Sequence, residues 1–134
     1  QYVRVGAVSY DSERDKTQSI EWGTSKVATF VDGLRANGGT DSSDAFKWAY
    51  RKVKDSTEDA AHFEKTELVP ARIIVFMTDG DNNQYSADTT TKQYCDRAKE
   101  RDIEAYTVAF DAPNSGKQLL SHLYLIHISE PTRP

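Results

Sequence analysis

One cysteine in 134 residues leaves nothing from which to build a disulfide framework or a cysteine metal cluster. Cys95 alone reads as a half-buried, inert helix cysteine rather than a reactive thiol. Long apolar runs are missing too, and none approaches the ~20 residues that a membrane-crossing helix needs. Positive charge is not in excess: 17 Lys and Arg stand against 21 Asp and Glu, for a net charge of -4. Nucleic acids and anionic membrane surfaces attract clustered positive charge, so neither is an expected partner. There is no Gly-rich phosphate loop, no serine nucleophile elbow and no internal repeat. The first residue is Gln1, not an initiator methionine, so the chain is expected to begin inside a longer protein. Its lack of a targeting signal therefore says nothing about compartment.

What is present suffices for one small α/β domain. The chain is 37% hydrophobic and 28% charged, enough for a modest core and unlike a disordered composition. Residues 3–10 are apolar and β-branched and predict a strand. Residues 11–17 are polar and predict a turn, followed by a weaker edge strand over 18–23. Val27, Phe30, Val31 and Leu34 recur at helical spacing, which predicts a helix over 26–36 with one face on a core, stopped by Asn37-Gly38-Gly39. A second helix is expected over 41–54, with Ala45, Phe46, Ala49, Tyr50 and Val53 inward. Residues 55–69 read as a charged surface excursion with room for a short helix. The run Ile73, Ile74, Val75, Phe76, Met77 suits a strand buried on both faces of a parallel sheet. A helix over 91–102, a strand over 105–110 and the start of a last helix over 116–122 follow. Strands alternating with helices predict a doubly wound, mostly parallel sheet with helices on both faces. Ligands of such sheets bind beyond the carboxyl ends of the strands, where the loop at Asp79 is expected.

Two short segments carry the chemistry. Gly38-Gly39-Thr40-Asp41 opens a helix, and Thr78-Asp79-Gly80 closes an apolar strand. Taken singly, each is ordinary: Thr and Asp cap helices, and Asp-Gly makes turns. Together, in that element order, they resemble the von Willebrand factor A domain. The resemblance implies a metal-ion-dependent adhesion site with Thr40 and Asp79 as ligands and Asp41 and Asp81 as possible outer partners. A hydroxyl and a carboxylate on separate loops suit Mg²⁺, a hard cation that prefers oxygen, and Mn²⁺ or Ca²⁺ are alternatives. The family's first element, Asp-x-Ser-x-Ser after a central strand, has no counterpart here. Asp41-Ser42-Ser43-Asp44-Ala45 falls in the wrong element and ends in Ala. The chain is therefore expected to lack that strand and its helix, to leave Ile73 and Val75 under-covered, to be marginally stable, and to bind metal weakly or not at all.

With Trp48, Phe76–Asn82 and the stretch 92–120, the chain is most similar to the TadG-like branch of bacterial Tad (Flp) pilus assembly proteins. That resemblance implies a protein partner that offers an acidic side chain to the metal. It also implies a membrane-anchored parent and a location on the periplasmic or cell-envelope side. The branch commonly carries a second cysteine near the position of Leu123, making Cys95 a disulfide candidate in the intact parent. The domain is expected over 1–122, because residues 123–134 resemble a translated sequencing adapter and read as a non-native tail.

Two other functions fit parts of the sequence. Asp79-x-Asp81 after an apolar strand also resembles the haloacid dehalogenase motif, a Mg²⁺-dependent phosphotransferase with Asp79 as nucleophile. Asn83 stands where that motif needs Thr or Val, so an enzyme is not the expected reading. A purely structural A-type domain without metal is the other alternative. An EF-hand is excluded, since its turn Gly would fall at Gln84 and its bidentate Glu at Thr90. His62 and His122 lack ligand-spaced partners.

Overall fold

The computed structural model describes residues 2–35, 38–56, 59–78, 82, 85–109 and 126–129. The elements run β1 (Arg4–Tyr10), β2 (Arg14–Trp22), α1 (Ser25–Asp32), α2 (Ser43–Lys54), α3 (Asp59–Thr66), β3 (Arg72–Thr78), α4 (Tyr85–Glu100), β4 (Ile103–Ala109) and β5 (Ile126–Ser129). They form two sheets: an antiparallel pair β1-β2 and a parallel trio β3-β4-β5. Among the described residues, no helix is long and apolar enough to cross a membrane.

The core lies where α2 and α4 cross one face of β3 and β4. Phe46 and Tyr50 of α2, Cys95 and Ala98 of α4, Ile74 and Phe76 of β3, and Ile103 and Ala105 of β4 form one buried cluster. Aromatic contacts organise it: the Phe46 and Phe76 rings meet edge to face at 5.9 Å and those of Tyr50 and Tyr94 at 5.6 Å. The predicted inward stripe of the second helix is the observed one, with Ala45, Phe46 and Tyr50 buried. Helix α2 also reaches beyond the trio, touching β1, β2, β3 and α4. It thereby lies across both sheets.

Several expectations change. The second strand starts at Arg14, not residue 18, because pairing with β1 recruits polar residues into an exposed edge strand. The hairpin is tight at Gly6, where an added Cβ would sit 2.9 Å from the Gln18 carbonyl oxygen. Helix α1 ends at Asp32, with Gly33 rather than the Asn-Gly-Gly segment as its cap. Its stripe is only partly covered: α1 touches β1 and β2, Val27 and Phe30 are half-buried, and Val31 and Leu34 are exposed. Helix α4 begins six residues earlier than predicted, at Tyr85. The third strand is buried on one face only. Ile74, Phe76 and Thr78 are covered, whereas Ile73, Val75 and Met77 are 44%, 57% and 52% exposed. The under-covering expected of Ile73 and Val75 is thus present and extends to Met77.

The charged excursion contains α3, fastened by one indole. Trp22 stacks on His62 at 5.5 Å, and Lys65 sits 4.1 Å above the same ring. Residues 126–129, in the segment expected to be a non-native tail, pair in parallel with Tyr106–Ala109 of β4. The helix expected over 116–122 lies outside the described residues.

Candidate functional site

The chain enters α2 through a segment stapled to the turn between β1 and β2. Gly38 has φ +69°, a left-handed conformation, and a Cβ there would meet Ser12 Oγ at 3.1 Å and the Asp11 side chain. The Gly39 N–H donates to Ser12 Oγ at 2.8 Å, and the Asp41 N–H donates to the Asp11 carbonyl at 2.7 Å. Thr40 sits half-buried between these two anchors.

The next residues are committed to the helix start. Asp41 Oδ1 accepts the Ser43 N–H at 2.9 Å and the Ser43 hydroxyl as well, so its carboxylate closes a turn at the start of α2. Ser42 is wholly enclosed, and its hydroxyl meets Thr91 Oγ1 of α4 at 2.9 Å. Thr91 in turn donates to the Ala87 carbonyl at 2.8 Å, which leaves Ser42 as the donor within the pair. The Ser42 N–H donates to Asn82 Oδ1 at 2.7 Å, and Asn82 Nδ2 donates to Asp88 Oδ1 of α4 at 2.7 Å. One amide side chain thus joins the loop beyond β3 to the first turns of two helices.

Of the predicted ligands, Thr40 is placed and Asp79 lies outside the described residues, as does Asp81. Asp41 is engaged with Ser43 at the start of α2. Ser42, Thr91, Asp88 and Asn82, which the sequence did not single out, hold the region together. The available signal was Asn82 three residues after Asp79, on the same loop. Among the described residues, no three His, Cys, Asp or Glu side chains converge as metal ligands. The described donors near Thr40 therefore do not make a cation site by themselves.

Cys95 is fully enclosed in the core rather than half-buried. Burial pushes its thiol up to about 11, because a thiolate would lose its water there. His62 has its structural place against Trp22, and Tyr50 lies in the core as expected of a helix aromatic.

Parallel strands covered by helices, with a helix start and a strand-end loop meeting at one end, define an α/β partner- or ligand-binding domain. The chain belongs to the von Willebrand factor type A domain family, whose profile matches residues 1–132. Domains of this family are in general protein-interaction modules. Among solved structures, the crystal structure of the SpRpn10 VWA domain superposes with a TM-score of 0.69 at 10% identity. The match covers 98% of this chain but only 66% of that one, just under two thirds. No curated protein matches the sequence. The haloacid dehalogenase alternative gains no support from these comparisons.

Proposed function

We propose that the chain is the partner-binding part of a cell-envelope protein of bacterial Tad (Flp) pilus assembly, with a metal-ion-dependent adhesion site in the intact parent. Thr40 and Asp79 are two of the ligands in this reading, with Asp41 and Asp81 behind them and a partner carboxylate completing the shell. Mg²⁺ would supply a fixed positive charge that attracts the partner's acidic group. Support comes from Asn82, three residues after Asp79, which accepts from the Ser42 N–H at the start of α2, two residues from Thr40. The envelope location and membrane anchor follow from the sequence resemblance alone.

Calorimetric titration with Mg²⁺ tests the metal. Residues 1–134 are expected to show no saturable binding below the millimolar range, because two protein ligands rarely hold Mg²⁺. A version extended at its N-terminus is expected to bind, and to lose binding in Thr40→Ala and Asp79→Ala. An extended protein that ignores Mg²⁺ leaves a structural A-type domain without metal. Turnover of p-nitrophenyl phosphate would overturn the non-enzymatic reading.

A further inference from the structure

An acidic chain carries a basic face on its outer flank. The net charge is -4, yet residues 45–54 of α2 hold Lys47, Arg51, Lys52 and Lys54 and no carboxylate. Asp44, just before them, is paired with Arg14 of β2 at 3.5 Å. The end of α4 adds Arg97, and Arg101 follows it. The two groups stand together. Lys47 and Arg97 approach the Tyr94 ring from different helices, at 5.8 and 4.8 Å. Further along, Lys54 at 2.7 Å holds the Asp55 carboxyl below the usual carboxylate range, with smaller contributions from Arg101 and Arg51. The acids of α4 turn elsewhere. Arg97 and Arg101 follow Tyr94 at i+3 and i+7, whereas Asp96 and Glu100, at i+2 and i+6, are rotated from it by about 160° and 120°.

Helix ends do not account for this much charge. Basic residues in a last turn offset the helix dipole, which is worth about half a negative charge per helix. Two helix ends and Asp55 together offset about two of the six cations. Lys47 lies in the first half of α2, where the dipole does not favour a cation at all. The face is also aromatic. Trp48 is only half-buried and Lys52 sits 5.6 Å from its ring. Both line an open groove of about 380 Å³ with Arg51 and Asp55. Tryptophan, tyrosine and arginine are the side chains that most often anchor protein interfaces.

We propose that the outer α2/α4 face, centred on Trp48 and Arg51, docks an acidic segment of a partner protein. An aromatic side chain of that segment lies on the Trp48 indole in the groove. Carboxylates on either side of it meet Arg51 and Lys52 on α2 and Arg97 and Arg101 at the end of α4. Guanidinium forks suit carboxylates because they donate two parallel hydrogen bonds. The Tyr94 ring already holds Lys47 and Arg97 in place, so they lose less freedom on binding. A uniform polyanion fits less well, since Asp55 lines the groove and the chain as a whole repels it. This inference does not depend on a metal at Thr40.

Peptide titration of the whole chain, followed residue by residue through its amide NMR signals at low salt with EDTA present, tests it. The chelator removes any carboxylate binding that a metal mediates. The probe is a blocked hexapeptide, Glu-Asp-Phe-Glu-Asp-Glu, and the control is Gln-Asn-Phe-Gln-Asn-Gln. The acidic probe should shift amides of residues 47–55 and 94–101 saturably, and high salt should weaken it by about 10-fold. The charge reversal Arg51→Glu with Lys52→Glu should also weaken it by about 10-fold or more, and Trp48→Ala by about 10-fold. Lys16→Glu with Arg35→Glu makes the same change of net charge at exposed cations elsewhere and should alter binding by less than about 2-fold. The amide spectra report whether each variant keeps its fold. Absence of saturable shifts would overturn the proposal. So would equal weakening by the Lys16 and Arg35 pair, which would reduce the effect to net charge. Equal binding of the neutral control would make it apolar adsorption, and tighter binding of a thymidylate hexamer would assign the face to nucleic acid; either result overturns it too.

Discussion

Along β3, residues one position apart live in different surroundings. Ile74 and Phe76 lie beneath α2 and α4 in the buried cluster, whereas Ile73, Val75 and Met77 meet solvent. All five are large and apolar, so composition cannot tell the two sets apart. Only the strand's period of two does, together with which side has helices to cover it. The comparison shows that the buried cluster of the described residues lies on one face of the β3-β4 pair.

Substitutions at adjacent positions sharpen that contrast. Phe76→Ala should cost about 3–5 kcal/mol, the usual result of emptying an aromatic core position, read from the urea unfolding transition. Val75→Thr should stay within about 0.5 kcal/mol, as surface changes do. Similar losses at both positions would mean that the outer face is covered in solution. Thermal unfolding by circular dichroism should be broad, and a sharp melt from a monomer would break the comparison in the same direction.

The polar link between the helices should matter less than the aromatic core. Thr91→Val leaves the enclosed Ser42 hydroxyl without its acceptor and should cost about 1–3 kcal/mol. Ser42→Ala should cost less, because Thr91 keeps its bond to the Ala87 carbonyl. The double variant should be milder than the sum, a non-additivity read directly from a double-mutant cycle.

Cys95 gives an effect confined to a defined pH window. Its folded pKa of about 11 lies above the usual thiol value, so the unfolded chain releases this proton first. The stability tied to Cys95 is complete below the unfolded thiol pKa and is lost as pH rises toward about 11. Cys95→Ala should flatten that part of the stability profile, as measured by urea midpoints between neutral and strongly alkaline pH.

The inward face of α2 was legible in the sequence, and the cover over α1 was not. The Phe46 and Tyr50 stripe is buried because α2 packs on β3 and α4, whereas α1 touches β1 and β2 and leaves Val27 and Phe30 half-buried and Val31 and Leu34 exposed. Periodicity reports which residues share a face and not whether anything covers that face. The same limit applied to β3, where a continuous apolar run suggested two buried faces and the structure supplies cover for one. At the candidate site, Thr40 was singled out by its family motif. The Ser42–Thr91 pair and the Asn82 link were not, since hydroxyl and amide partners 49 and 40 residues apart leave no local pattern.

The fastening of α3 by Trp22 also has an optical consequence. The chain has two tryptophans. Trp22 touches His62, Lys65 and the Arg4 guanidinium, whereas Trp48 sits on α2 with Lys52 5.6 Å from its ring. Emission from the first therefore follows the seating of a peripheral helix, and emission from the second follows the element that spans both sheets. Replacing either by Phe turns the chain's own fluorescence into a single-channel record, separating detachment of α3 from collapse of the central packing.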